Sequence, residues 1–211
     1  MTIASPMNSN RIPTRPGNRL RGGRALAVMV LALLLTGCGI NTIPTLEETA
    51  KARWSDVQNQ YQRRADLVPN LVETVKGYAK QEQETLTRVI EARAKATQVQ
   101  VSVNDLTDPE KLKQFQDAQA QLSGALGRLI AVSENYPDLK SNQNFLALQS
   151  QLEGTENRIS VARRDYIQAV QTYNTEVRTF PGRFWAWIYG AKPMATFTTT
   201  EENQRAPTVK F

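Results

Sequence analysis

The chain has 211 residues, a formal charge of +6, no histidine and one cysteine. Without imidazole there is no His general base, no Ser-His or Cys-His nucleophile pair and no imidazole zinc ligand, and one cysteine excludes disulfides within the chain. Catalysis would have to rest on carboxylates, lysine, tyrosine or serine, so the composition points to a non-enzymatic protein with no cofactor and no metal site.

The charge is concentrated at the start. Arg11, Arg15, Arg19, Arg21 and Arg24 are the only charged residues before Cys38, so the chain from Cys38 onward carries only +1. A nucleic-acid partner loses its main support. Behind the arginines an apolar run from Ala25 to Leu35 is too short for a membrane-spanning helix, which needs about 20 residues. Leu35-Thr36-Gly37-Cys38 follows, which completes the layout of a bacterial lipoprotein signal. Residues 1–37 are expected to be removed by a peptidase that recognises Leu35, Thr36 and Gly37. The Cys38 thiol is expected to be joined to diacylglycerol, whose acyl chains are of the palmitate type, making membrane lipid the first partner. Gly39 stands where an aspartate would retain the protein at the inner membrane. The expected site is therefore the periplasmic face of the outer membrane, where the organism has one, with the remaining 174 residues on the extracytoplasmic side.

Residues 38–45, with Pro44, read as a tether. The first helical region is predicted from Leu46 to Val99, with apolar or small residues at Trp54, Val57, Tyr61, Ala65, Val68, Val72, Val75, Ala79, Leu86 and Val89. These three- and four-residue steps make a narrow, coiled-coil-like seam. Pro69 offers no amide to the carbonyl of Ala65 and crowds that turn, so a kink or a break is predicted there. Arg63, Arg64, Asp66, Pro69 and Asn70 form a candidate interaction site at the kink. The favoured alternative is structural: Asp66 and Asn70 brace the turn and the arginines pair with carboxylates of a neighbouring helix.

A second helix is predicted from Asp108 as cap and Pro109 at its first turn, with Leu112, Phe115, Gln119, Leu122, Leu126, Leu129 and Val132 on its buried side. Gly124 and Gly127 within it suggest close helix approach. After Tyr136-Pro137-Asp138-Leu139-Lys140, a third helix capped by Ser141 or Asn142 carries a seam from Phe145 to Phe180 and stops at Pro181-Gly182. The segment Phe184-Trp185-Ala186-Trp187-Ile188-Tyr189 is the most aromatic in the chain. Trp185 and Trp187 are candidates for contact with a bilayer interface, against a favoured reading in which the segment closes one end of the bundle. The expected fold is all-α: an elongated antiparallel bundle of three long helices over residues 46–191, four segments if the first breaks at Pro69, plus a short C-terminal aromatic helix. Residues 192–211 read as a polar, disordered tail.

Several segments then carry a family resemblance. Asp66-Leu67-Val68-Pro69-Asn70-Leu71-Val72-Glu73-Thr74-Val75-Lys76-Gly77-Tyr78, Tyr136 to Lys140, Asn144-Phe145 with Leu148-Gln149, Thr155 to Ile159 with Ala162-Arg163, and Tyr173-Asn174 ahead of Phe180-Pro181 together resemble the LemA family over about Leu46 to Ala191. The resemblance implies a bacterial, membrane-attached helical bundle without an established enzymatic activity and with no catalytic residues to carry over. Many relatives use an N-terminal transmembrane helix, so a lipidated cysteine departs from that manner of anchoring. The expected role is a structural or interaction module of the cell envelope, binding an envelope protein or its own copies. The alternative, suggested by family association, is an accessory protein of a membrane protease or envelope stress system.

Overall fold

The computed structural model describes residues 39–197. Leu35, Thr36, Gly37, Cys38 and the tail beyond Phe197 lie outside the described residues. Six α-helices follow in order: α1 (Thr42–Tyr78), α2 (Gln83–Gln98), α3 (Pro109–Val132), α4 (Pro137–Lys140), α5 (Gln143–Arg178) and α6 (Gly182–Tyr189). There is no strand among the described residues, and none of their helices is long and apolar enough to cross a membrane.

The helices form an antiparallel bundle. Along α1, Trp54 stacks near Tyr166, Arg64 pairs with Glu156 and Tyr78 accepts a hydrogen bond from Asn142, so α5 runs antiparallel to it for nearly its whole length. At 37 residues, α1 is roughly 55 Å long for a rise of 1.5 Å per residue. The shorter α2 returns along the second half of α1, and α3 runs antiparallel to α2. The first half of α1 is instead covered by the 99–108 connection, α6 and the C-terminal strap, whose apolar residues share one cluster with it.

All ten predicted seam residues of the first region are buried, yet they are divided between two helices, with Ala79 in the turn between them, and the break lies elsewhere. Helix α1 continues through Pro69 and ends at Tyr78; the turn at Ala79–Glu82 separates it from α2. The reason is visible at Ala65. Its carbonyl, left without an amide by Pro69, accepts a hydrogen bond from Arg93 Nε of α2 at 2.8 Å. The group a proline normally orphans is satisfied by the neighbouring helix, and the penalty that would break α1 is offset.

Other boundaries also shift. The tether is shorter than expected because α1 begins at Thr42 and Ile43 is buried in the core. Pro44 is tolerated in this first turn, where amides lack intrahelical acceptors. Asp108 caps α3 by accepting from the amides of Glu110 and Lys111, and the Asn142 side chain caps α5 through the Phe145 amide. The sequence 136–140 forms the short α4 rather than a plain turn. Gly124 and Gly127 do not mark close packing: a Cβ at either would meet open space. Phe180, placed last in the third seam, is 87% exposed.

The first part of the expected tail, through Phe197, packs on the bundle. Met194 and Phe197 are buried. Asn174 donates to the Met194 carbonyl and accepts from its amide, both at 2.8 Å. Tyr173 donates to the Lys192 carbonyl, Tyr166 to that of Ala195, and the Ala195 amide to Leu106. The Phe197 ring packs against Trp54 and Tyr166, with the Arg163 guanidinium 4.5 Å above it.

Candidate functional site

The core consists of two apolar clusters. One centres on Trp54, Phe115, Tyr166 and Phe197, the other on Leu71, Val75, Leu122 and Leu129. Between them lies a polar layer contributed by three helices: Arg64 of α1, Gln119 of α3 and Thr155 of α5, all buried. Arg64 is 1% exposed. Its Nη1 donates to Ser123 Oγ at 2.6 Å and to Glu156 Oε1 at 2.8 Å, and its Nη2 donates to the Gln119 carbonyl at 3.1 Å and to Gln119 Oε1 at 2.5 Å. Gln119 in turn donates to the Ala96 carbonyl of α2, and the guanidinium lies 5.0 Å from the Tyr61 ring centroid. One cation thus ties all four long helices at a single level. Such a layer selects one register, because sliding any helix by a turn strands a buried charge.

The predicted interaction block therefore divides. Arg64 points into the bundle and pairs with a carboxylate on a neighbouring helix, as the structural reading expected. Arg63, Asp66, Pro69 and Asn70 are exposed on the opposite side of α1. Asp66 accepts from Gln62 Nε2 at 2.8 Å, and the Asn70 carbonyl accepts from the Thr74 hydroxyl at 2.8 Å. These bonds are local to the helix, and Arg63 and Arg64 do not act on a common surface. Arg93 and Glu156, which complete the interhelical bonding, were not among the expected residues. Arg93 could have been suspected, since the orphaned carbonyl at Ala65 calls for a donor.

Trp185 and Trp187 also part company. Gly182 and Ala186 are buried against the bundle, and Gly182 is obligatory there, since a Cβ would meet the Glu176 carbonyl oxygen at 2.3 Å. Trp185 is half-buried beside this inward face, packed on the first cluster. Trp187 is 79% exposed, and Phe184, Ile188 and Tyr189 are exposed with it. One face of the segment closes the bundle and the other is exposed and apolar. Of eleven exposed large apolar residues among those described, five fall between Phe180 and Tyr189, which is a patch rather than ordinary scatter.

Clefts lie along the bundle surface. The one at this end has a volume of about 240 Å³ between α1, the 103–107 turn and the strap, and includes Glu47, Lys51, Tyr173 and Lys192. Lys51 bonds Glu47 and Glu48, which raises its pKa. Burial pushes the Tyr166 phenol up, and it is committed to the Ala195 carbonyl. No group of three or more Cys, Asp and Glu among the described residues is placed to hold a metal ion.

The model of the LemA family matches residues 53–211. The chain belongs to the LemA family. That match covers α1 from its fourth turn through the C-terminal strap and includes both the polar layer and α6. Among individual relatives, the magnetosome proteins MamQ 2 and MamQ 1 of Paramagnetospirillum magneticum are each 29% identical over 197 residues, covering 82% of this chain and 72% of the relative. Protein LemA of Metamycoplasma hominis is 27% identical over 124 residues, covering 59% of this chain and 52% of the relative.

Proposed function

We propose that this LemA-family protein is a lipid-anchored, non-enzymatic interaction module of the bacterial cell envelope. Cys38 is its attachment point, and the bundle lies on the extracytoplasmic side, at the outer membrane where the organism has one. The observation that carries the reading is how the polar side chains are used. The buried cation and its partners serve the bundle's own packing, and the ordered helices expose charged faces together with one apolar patch on α6. A scaffold of this kind offers surface rather than chemistry. The lipoprotein signal ahead of Cys38, with the single thiol of the chain at the position acylation requires, supports the manner of attachment. The magnetosome relatives carry a name tied to their own organelle; the proposal takes from them the shared domain alone.

Cross-linking in intact cells followed by purification of the membrane-extracted protein tests the role. The proposal expects a reproducible envelope protein or cross-linked copies of this chain. Recovery of a membrane protease would identify the module as an accessory of that enzyme. Recovery of cytoplasmic proteins alone would contradict the extracytoplasmic placement.

A further inference from the structure

We infer that the outward face of α6, with Phe180, seats in the headgroup region of the membrane that holds the anchor, and that Arg178, Arg183 and Lys192 contact anionic lipid there. The inference rests on the lipid-anchor reading and adds a second, independent point of contact.

Phe184, Trp187 and Ile188 fall at i, i+3 and i+4, which places them in one stripe along a helix. All three are exposed, while the small residues Gly182 and Ala186 take the opposite side. The close approach of Gly182 to the Glu176 carbonyl holds α6 against the end of α5, so the stripe is presented rather than tucked away. Amphipathic helices with Trp and Phe on one face and basic residues flanking it partition to the bilayer interface.

Charge points the same way. Between Thr179 and Ala191 there is no acidic residue, and Arg178, Arg183 and Lys192 are all exposed. Of the acidic groups near this end, Glu47 and Glu48 are paired with Lys51, and the half-buried Glu176 carboxylate lies against Gly182, on the inward side of α6. Anionic headgroups are attracted to such a segment.

Position supplies the third argument. Glu47 and Lys51, near the start of α1, line one cleft with Tyr189 and Gly190 at the end of α6, so α6 lies at the end where the chain enters the bundle. Cys38 is four residues before Thr42, and an extended chain covers at most about 3.6 Å per residue. The lipid attachment is therefore within roughly 14 Å of the start of α1. A second copy of the chain fits less well, since five exposed side chains fall short of the roughly 20–30 residues a side found in stable interfaces.

The test uses the acylated full chain reconstituted in phosphatidylcholine–phosphatidylglycerol vesicles containing brominated acyl chains, with and without Trp187→Ser. Trp54 is fully buried in the bundle and reports that the fold is intact. Wild-type protein is expected to lose a fraction of its emission to the brominated lipid, and Trp187→Ser is expected to abolish most of that loss. Replacing Arg178, Arg183 and Lys192 with glutamine should reduce the quenching at least twofold in mixed vesicles. Protein that floats with the vesicles but shows no Trp187-dependent quenching overturns the inference and leaves the anchor standing. If Cys38→Ser floats as well as wild type, the anchor reading falls, and quenching of Trp187 in that variant still supports the inference. Shielding of Trp187 that grows with protein concentration in the absence of vesicles assigns the face to a second copy and overturns the lipid seat.

Discussion

Replacing Arg64 with methionine tests the claim that this residue is an internal tie rather than a contact for a partner. Methionine keeps much of the alkyl packing and removes the guanidinium. The loss comprises four hydrogen bonds, of which the two to Gln119 are buried. An orphaned buried acceptor costs about 1–3 kcal/mol. The Glu156 contribution is smaller: its side chain is 47% exposed, so solvent screening limits the pair to about 1 kcal/mol or less. With the Ser123 bond added, Arg64→Met should destabilise the bundle by about 2–4 kcal/mol, against about 1 kcal/mol or less for Glu156→Gln. In the double variant Arg64→Met/Gln119→Leu the orphan is gone, and the combined cost should fall below the sum of the single costs by about 1 kcal/mol. Urea unfolding of the unacylated mature chain, followed by circular dichroism at neutral pH, measures wild type, the single variants Arg64→Met, Gln119→Leu and Glu156→Gln, and the double variant. An Arg64→Met variant as stable as wild type, or no more damaged than Glu156→Gln, refutes the polar-layer argument and returns Arg64 to the list of contact residues.

Other substitutions separate the remaining causes. Arg93→Ala should cost about 1–2 kcal/mol by freeing the Ala65 carbonyl, and the cost should shrink in a Pro69→Ala background, where the new amide takes that carbonyl; equal costs in both backgrounds would contradict the assignment. Gly124→Ala and Gly127→Ala should each stabilise by about 0.5–1 kcal/mol in thermal or urea unfolding, because open space meets the added methyl. Gly182→Ala should instead destabilise by about 1–3 kcal/mol through overpacking against the Glu176 carbonyl. Hydrogen bonds from Lys111 and from the Ser102 hydroxyl and amide hold the Asp105 carboxyl at about 2, against an ordinary 3.8. The folded state thus favours the carboxylate, and the stability this adds is complete above about pH 4 and is lost as pH falls toward 2; a carboxyl carbon NMR titration centred near 3.8 would refute it.

Helix existence, core faces and capping were legible in the sequence because each is local. The seam from Trp54 to Val89 follows the helical period, and Asp108 and Asn142 cap through bonds to amides two or three residues away. What escaped the sequence depended on contacts distant along the chain. Arg93 rescues the Pro69 turn from a different helix, so the break moved to Ala79–Glu82, a turn with little local signature beyond the preceding Gly77. Met194 and Phe197 sit three apart in an otherwise polar stretch, too few to register as a pattern, and their burial is settled by Asn174, Tyr166 and Trp54. In the aromatic segment no face could be assigned by hydropathy, since nearly every position is apolar. The Gly182–Ala186 pair at i, i+4 was the available sign of the inward side, and it separates Trp185 from Trp187.

Attachment through Cys38 is the central proposal, and the N-terminal peptide of the protein extracted from its native membrane tests it most directly. Mass spectrometry should find a chain that begins at Cys38 and carries a diacylglyceryl thioether with fatty acyl chains. A chain that retains Leu35-Thr36-Gly37 ahead of a free Cys38 thiol would contradict the account.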